Sequence, residues 1–340
     1  MDLTTSYLGL TLKNPVVASA APNNANLDHL RRLEDAGAAG VVLPSLFEEQ
    51  TEAMGAWHDT IVAAGTGNNP EAHQHYLPPT HVAAGLHRVV PDRYLDLVRR
   101  ARESLSIPVI ASLNGTTAGD WLDYGRLLEE AGANALELNL YAVPTDLAET
   151  GATIEECYVQ AVHALRAQLG APLSVKMGPY FTNAGNMAQR FVETGAAGLT
   201  IFSRIVPPDI NLQRLTLTTE LTLSQVVDMR LSLQWIALLA GRIKASLAAS
   251  TGVENTEQVI KYLYAGADVV MVTSAILRNG SAYLRHLVDG LGEWLEMRNV
   301  ASPNAIRGLM SYAKLKNPEA YTRKQYVDQL QTWSGQYFDV

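Results

Sequence analysis

A single cysteine, Cys157, in a chain of 340 residues excludes an internal disulfide. Basic runs are missing too: 26 lysines and arginines are spread among 34 aspartates and glutamates, for a net charge of -8. That balance argues against a nucleic-acid footprint or an anionic membrane surface and leaves a small molecule as the expected ligand. No apolar run reaches membrane-spanning length. The opening Met1-Asp2-Leu3-Thr4-Thr5 has neither the basic nor the apolar region of a secretion signal, so a soluble cytoplasmic protein is expected. A clear metal-ligand pattern is lacking as well. His58, His73, His75, His81 and His87 share one irregular stretch, and histidines on a solvated loop mostly have no special role, so no metal is expected.

What the chain does have is a repeated phrase: a helical stretch ends in Gly-Ala and an apolar β-type run follows at once. The copies are Gly37-Ala38 into Gly40-Val41-Val42-Leu43, Gly132-Ala133 into Ala135-Leu136-Glu137-Leu138, Gly195-Ala196 into Gly198-Leu199-Thr200-Ile201, and Gly266-Ala267 into Val269-Val270-Met271-Val272. Each glycine suits the left-handed position that closes a helix, and each following run reads as a strand buried on both faces. With the apolar strands between the copies this predicts an α/β fold, a (β/α)8 TIM barrel, as one domain spanning 1–340. At 47% hydrophobic residues the chain can bury a core of that size.

Strands are expected at Pro15–Ser19, up to Leu43, Pro108–Leu113, Ala135–Leu140, Leu173–Lys176, Leu199–Phe202, Ala245–Ala249 and Val269–Val272. Helices are expected near Asn26–Ala36, Pro91–Ser104, Asp120–Ala131 and Gly185–Thr194, with a capping box at Thr153-Ile154-Glu155-Glu156 and another helix starting at Asn255. Residues 44–90 lose the pattern and read as a long lid inserted after the second strand. Residues 207–230, with Leu215-Thr216-Leu217-Thr218 and Leu221-Thr222-Leu223, predict a small β excursion after the sixth. A helical tail at 302–340 follows, with a helix near Arg323–Thr332.

In such a barrel the strand ends carry the chemistry. Lys176 ends an otherwise apolar strand, and a lysine aimed into the barrel mouth needs an anionic or electron-rich partner to offset its desolvation. The alternative is that it pairs with Glu137 inside the barrel. Ser250-Thr251-Gly252 and Thr273-Ser274 end the last two strands, where barrels hold a phosphate on backbone N–H groups. Together they suggest a phosphorylated cofactor.

The segments Asn14-Pro15-Val16-Val17-Ala18-Ser19-Ala20, Glu137-Leu138-Asn139-Leu140, Val175-Lys176-Met177-Gly178-Pro179-Tyr180 and Thr251-Gly252-Val253 through Thr273-Ser274-Ala275 resemble the dihydroorotate dehydrogenases, in the same order and on the same strands. Ser45-Leu46-Phe47-Glu48-Glu49-Gln50 and Trp235-Ile236-Ala237-Leu238-Leu239 bring the chain nearest to the dihydroorotate dehydrogenase-like subgroup. The resemblance implies FMN. Ala18, Ser19 and Ala20 would line one side of the flavin ring, Asn114 would be a further cofactor contact, Asn139 would reach both flavin and substrate, and Lys176 would lie near flavin N1 and O2. Thr251, Gly252, Thr273 and Ser274 would hold the phosphate, and Ser203 and Ser250 would touch the ring or ribityl chain. Cytosolic relatives suggest a homodimer.

The departures are equally specific. The family's loop after the fourth strand carries a Cys or Ser base, and this chain reads Asn139-Leu140-Tyr141-Ala142-Val143-Pro144, with Ala142 at the base position. The family's second-strand lysine falls on Pro44, with Ser45 beside it. Only Asn139 is clear among the asparagines that grip the pyrimidine. Tyr141, Ser45 or a lid histidine is then the expected stand-in base. The first functional expectation is an FMN-dependent oxidoreductase acting on dihydroorotate or a related small substrate in pyrimidine biosynthesis. A flavin-binding barrel without that turnover is the second, and a phosphosugar-type enzyme using Lys176 as a Schiff-base lysine is the third. Arg204 is assigned to an anionic substrate or to Asp209, and Cys157 to helix packing.

Overall fold

The computed structural model describes residues 1–50, 91–119, 122–204, 206–218 and 221–337. Two short antiparallel strands come first, β1 (Thr5–Tyr7) and β2 (Leu10–Leu12). The eight barrel strands and their helices follow: β3 (Val16–Ala18), α1 (Leu27–Asp35), β4 (Val41–Phe47), α2 (Pro91–Ser104), β5 (Val109–Asn114), α3 (Asp123–Glu130), β6 (Ala135–Asn139), α4 (Gly151–Gln168), β7 (Leu173–Met177), α5 (Ala184–Glu193) and β8 (Gly198–Ile201). After the exposed hairpin β9 (Asp209–Asn211) and β10 (Thr216–Thr218), the barrel is completed by α6 (Met229–Leu239), β11 (Ser246–Ser250), α7 (Thr256–Ala265) and β12 (Val269–Val272). The strands pair in parallel around a closed ring, β12 returning to β3 and β11 to β8.

The Gly-Ala repeat acts as expected: Gly37, Gly132, Gly195 and Gly266 all take positive φ, at 102, 102, 108 and 121°. Each turns a helix end directly into the next strand. The core divides in two. A large outer layer lies between strands and helices and includes Leu30 and Leu33 of α1 and Val98 of α2. A smaller inner cluster fills the barrel floor with Val17, Val42, Ile110, Ala135, Ala248, Val269 and Met271.

Tyr7, Leu8 and Leu12 belong to that inner cluster, so the β1–β2 hairpin plugs the bottom of the barrel. Its two-residue turn has Leu8 at φ 54° and Gly9 at φ 76°, the primed geometry that matches strand twist. The first strand expected from the sequence begins at Pro15, and this plug lies before it. Its six strand residues are too few for a clear period.

Four boundaries are corrected. The second barrel strand does not stop at Leu43 but continues to Phe47, because a register shift between Val42 and Ser45 absorbs Pro44, which has no N–H to give the ladder. Residues 44–50 are therefore strand and helix start rather than lid, and the remainder of the expected lid, 51–90, with all five of its histidines, lies outside the described residues. The excursion is two-stranded only over β9 and β10. Leu221-Thr222-Leu223 forms no strand and leads instead into a short turn of helix at Val226–Asp228, where the Asp228 carboxylate accepts the Gln225 N–H at 2.8 Å. Finally, α4 starts one turn earlier than the Thr153 box predicts: Thr150 is the cap, and its hydroxyl accepts the Thr153 N–H at 3.2 Å. Asn255 caps α7 as expected, with Gln258 completing the box.

Beyond the barrel lie α8 (Ser274–Asn279), α9 (Tyr283–Met297), α10 (Pro303–Ile306) and α11 (Arg323–Tyr337). No described helix is long and apolar enough to cross a membrane.

Candidate active site

Above the apolar floor the barrel interior turns polar. Ser112, Glu137, Ser174 and Thr200 are buried there, with Asn114, Ser203 and Ser250 at the strand ends above them. Strand pairing sets Asn114 beside Asn139, Asn139 beside Lys176, and Lys176 beside Thr200. The Lys176 side chain points inward and is 12% exposed, with its Nζ 3.7 Å from Glu137 Oε1. Thus the pairing weighed from the sequence is present, at a separation too long for a hydrogen bond.

Two buried oxygens here have no hydrogen-bond partner: Glu137 Oε1 and Asn139 Oδ1. A buried acceptor left unpaired costs about 1–3 kcal/mol. Asn139 Oδ1 therefore marks a place for a donor, at the strand position paired with Lys176. A polar planar group with a ring N–H donor, such as a flavin, matches that demand.

The turn at the ends of β11 and β12 is built by three segments rather than two. Thr251 has φ 85° and Gly252 φ 71°. A side chain at Gly252 would meet Met229 N at 2.6 Å and Gln225 O at 2.9 Å, so only glycine admits the approaching 225–229 segment. The neighbouring Ser224 sits across the turn. Its Oγ accepts the Gly252 N–H at 3.2 Å and donates to Ser274 Oγ at 2.9 Å, while its own N–H donates to Ser274 Oγ at 3.0 Å. Arg278 holds the Ser224 carbonyl at 2.6 Å and is itself paired with Glu254 at 3.1 Å. Thr273 stands at the start of α8 without a side-chain cap bond. Small hydroxyls, a left-handed turn and a nearby guanidinium suit a phosphate. Ser224 and Arg278 escaped the sequence reading because their partners lie 28 and 54 residues away.

Below this turn, Tyr262 of α7 donates to Thr251 O at 2.7 Å and approaches Ser250 O at 3.0 Å. Burial pushes its phenol far above the ordinary range, so it stays a donor. Ser250 Oγ in turn donates to Phe202 O at 3.1 Å, tying β11 to the end of β8.

On the strand next to β12, Ala18 and Ser19 are buried at the end of β3, followed by the half-buried Ala20. The buried Asn24 amide donates to Ser19 O at 2.9 Å and Val42 O at 2.7 Å, tying the end of β3 to β4. Ser45 Oγ lies 2.8 Å from Ser112 Oγ. Ser203 is buried, and its N–H donates to Met177 O at 2.7 Å.

The loop after β6 is open: Tyr141 and Ala142 are half-buried, and Val143 and Leu147 are exposed. Ala142 packs on the outer core. Arg204 pairs with Asp228 at 3.7 Å and bonds the Thr222 carbonyl, so the expected partner Asp209 is not the one it takes. Cys157 lies within α4, as expected. Among the described residues no group of three or more His, Cys, Asp or Glu side chains is arranged to hold a metal.

A family model described as dihydroorotate dehydrogenase matches residues 83–295. The chain is 27% identical over 315 residues to an Aeropyrum pernix protein with the provisional name dihydroorotate dehydrogenase A (fumarate), covering 90% of this chain and 97% of that one. It is 25% identical over 316 residues to a Pyrococcus furiosus protein named dihydroorotate dehydrogenase B (NAD(+)), catalytic subunit, covering 91% and 99%. The crystal structure of an Eimeria tenella DHODH in complex with ferulenol shares the fold, with a TM-score of 0.62 at 17% identity over 91% of this chain and 88% of that one.

Proposed function

The chain belongs to the dihydroorotate dehydrogenase family, and from that premise we propose that it is an FMN-dependent oxidoreductase that oxidises dihydroorotate, or a related small substrate with a CH–CH bond to desaturate. The observation that carries this is the unpartnered, buried Asn139 Oδ1 beside the inward-facing Lys176. FMN, when bound, supplies the hydride acceptor. Lys176 contributes positive charge from a largely buried position, where it favours an electron-rich neighbour far more than it would in water. Asn139 accepts a ring N–H, and Ala18, Ser19, Ala20 and Asn114 wall the ring. Ser203 and Ser250 flank it, and Thr251, Gly252, Thr273 and Ser274, with Ser224 added, hold the phosphate.

A second reading is supported by Ala142. By the sequence resemblance it falls at the family's base position; it packs on the core and has no group able to accept a proton. Under this reading the barrel binds flavin without turning over dihydroorotate. Tyr141 is half-buried next to it, and Ser45 reaches Ser112; these are the stand-in bases of the first reading. A cytoplasmic homodimer remains part of the proposal, to be weighed by sedimentation.

Protein incubated with FMN and desalted should stay yellow, and anaerobic dihydroorotate should bleach it within minutes. Retained flavin that stays oxidised would favour the second reading. Protein that remains colourless would overturn both.

A further inference from the structure

A line of hydroxyls runs up the inside of the barrel from its plug to its mouth. Tyr7 Oη lies 3.0 Å from Ser174 Oγ, Ser174 Oγ lies 3.4 Å from Thr200 Oγ1, and Thr200 Oγ1 donates to Glu137 Oε2 at 2.9 Å. All four residues are buried. One hydrogen per hydroxyl fixes the direction of the whole line. Thr200 spends its hydrogen on the carboxylate, so Ser174 donates to Thr200, and Tyr7 donates to Ser174. Burial first, and the Glu137 carboxylate second, push the Tyr7 phenol far above its ordinary range, which keeps its hydrogen in place.

A relay of three aligned donors therefore ends on Glu137 Oε2, each polarising the next. The other oxygen, Oε1, faces the Lys176 ammonium at 3.7 Å with no hydrogen bond. That spacing is unusual. A buried ammonium and carboxylate left to themselves close to about 2.7–2.9 Å.

We propose that Tyr7, Ser174 and Thr200 are a tether: by holding one oxygen of Glu137, they keep the carboxylate from closing on Lys176 and leave the ammonium available at the barrel mouth. These are positioning residues, acting through Glu137 and Lys176. The proposal deepens the flavin reading and rests on it for the meaning of an available ammonium. The tether itself is a property of the protein alone.

Thr200→Val keeps the shape and removes the hydroxyl, while Thr200→Ser keeps the hydroxyl and removes a methyl. In FMN-loaded protein, sulfite affinity measured by bleaching of the flavin band reports positive charge beside the ring. It should weaken at least fivefold in Thr200→Val and about twofold in Tyr7→Phe, and stay within twofold of the parent in Thr200→Ser. In flavin-free protein, acetic anhydride labelling of Lys176, read by peptide mass spectrometry, should slow at least fivefold in Thr200→Val alone. Equal labelling in all variants would overturn the tether, as would equal losses in Thr200→Ser and Thr200→Val. If the parent retains no FMN, the flavin reading fails and the labelling series still decides the tether.

Discussion

The phenol of Tyr94 sits on both backbone groups of Ser112, accepting its N–H at 2.9 Å and facing its carbonyl at 3.3 Å. A helix side chain thereby completes a strand at the place where the register shift of β4 interrupts the ladder. The same Ser112 carries the hydroxyl that meets Ser45. Tyr94→Phe leaves the buried N–H without a partner and should destabilise the fold by about 1–3 kcal/mol. Urea denaturation measures this, and an unchanged midpoint would mean that the ladder closes without the phenol.

Tyr7, Tyr94 and Tyr262 each have their phenols raised above the ordinary value of 10.0, with burial the leading cause. Above pH 10 the unfolded chain gives up phenolic protons that the folded chain retains. The unfolded state then binds fewer protons, so stability falls as pH rises, by up to about 1.4 kcal/mol per pH unit for each group. The contribution is fully present below pH 10. Tyr7→Phe should therefore cost less stability at pH 11 than at pH 9, by roughly 1 kcal/mol. A constant gap between the two proteins at both pH values would contradict the assignment.

Gly252 and Gly151 form a matched pair for testing the proposed phosphate turn. An added methyl at Gly252 meets Met229 N at 2.6 Å on a backbone with φ 71°, whereas at Gly151 it meets nothing within 4 Å. Gly252→Ala should push back the segment that carries Ser224 and weaken FMN binding at least tenfold, with a stability loss of about 1–3 kcal/mol. Gly151→Ala should leave FMN affinity unchanged. Fluorescence titration with FMN separates them.

Most of the frame is legible in the sequence because it repeats. The Gly-Ala phrase announces a helix end and a buried strand with one local signal, and the strand ends that it places bring Lys176 next to Asn139. The features that escape are those whose partners are distant. Tyr7 meets Ser174 across 167 residues, and Ser224 meets Ser274 across 50. Neither pair leaves a periodic trace, since a hydroxyl in an alternating run looks the same whether it faces water or a buried carboxylate. Pro44 misled in the other direction: a proline usually ends a strand, and here the shift between Val42 and Ser45 let the strand pass through it.

Ala142 separates the two functional readings most directly. Its neighbour Asn139 has an unpartnered oxygen, and the loop between β6 and α4 is exposed from Val143 to Thr150, so a small polar side chain at 142 has room without disturbing the barrel. General-base catalysis contributes about 10²–10⁴-fold to a proton abstraction. Ala142→Cys should therefore raise anaerobic dihydroorotate oxidation at least tenfold if the loop is placed like the family's, with Ala142→Ser rising less because a serine hydroxyl is the harder group to deprotonate. Stopped-flow bleaching of the flavin measures both. Identical rates in all three proteins would mean that the proton is taken elsewhere, and Tyr141→Phe and Ser45→Ala would then be the variants that lose activity.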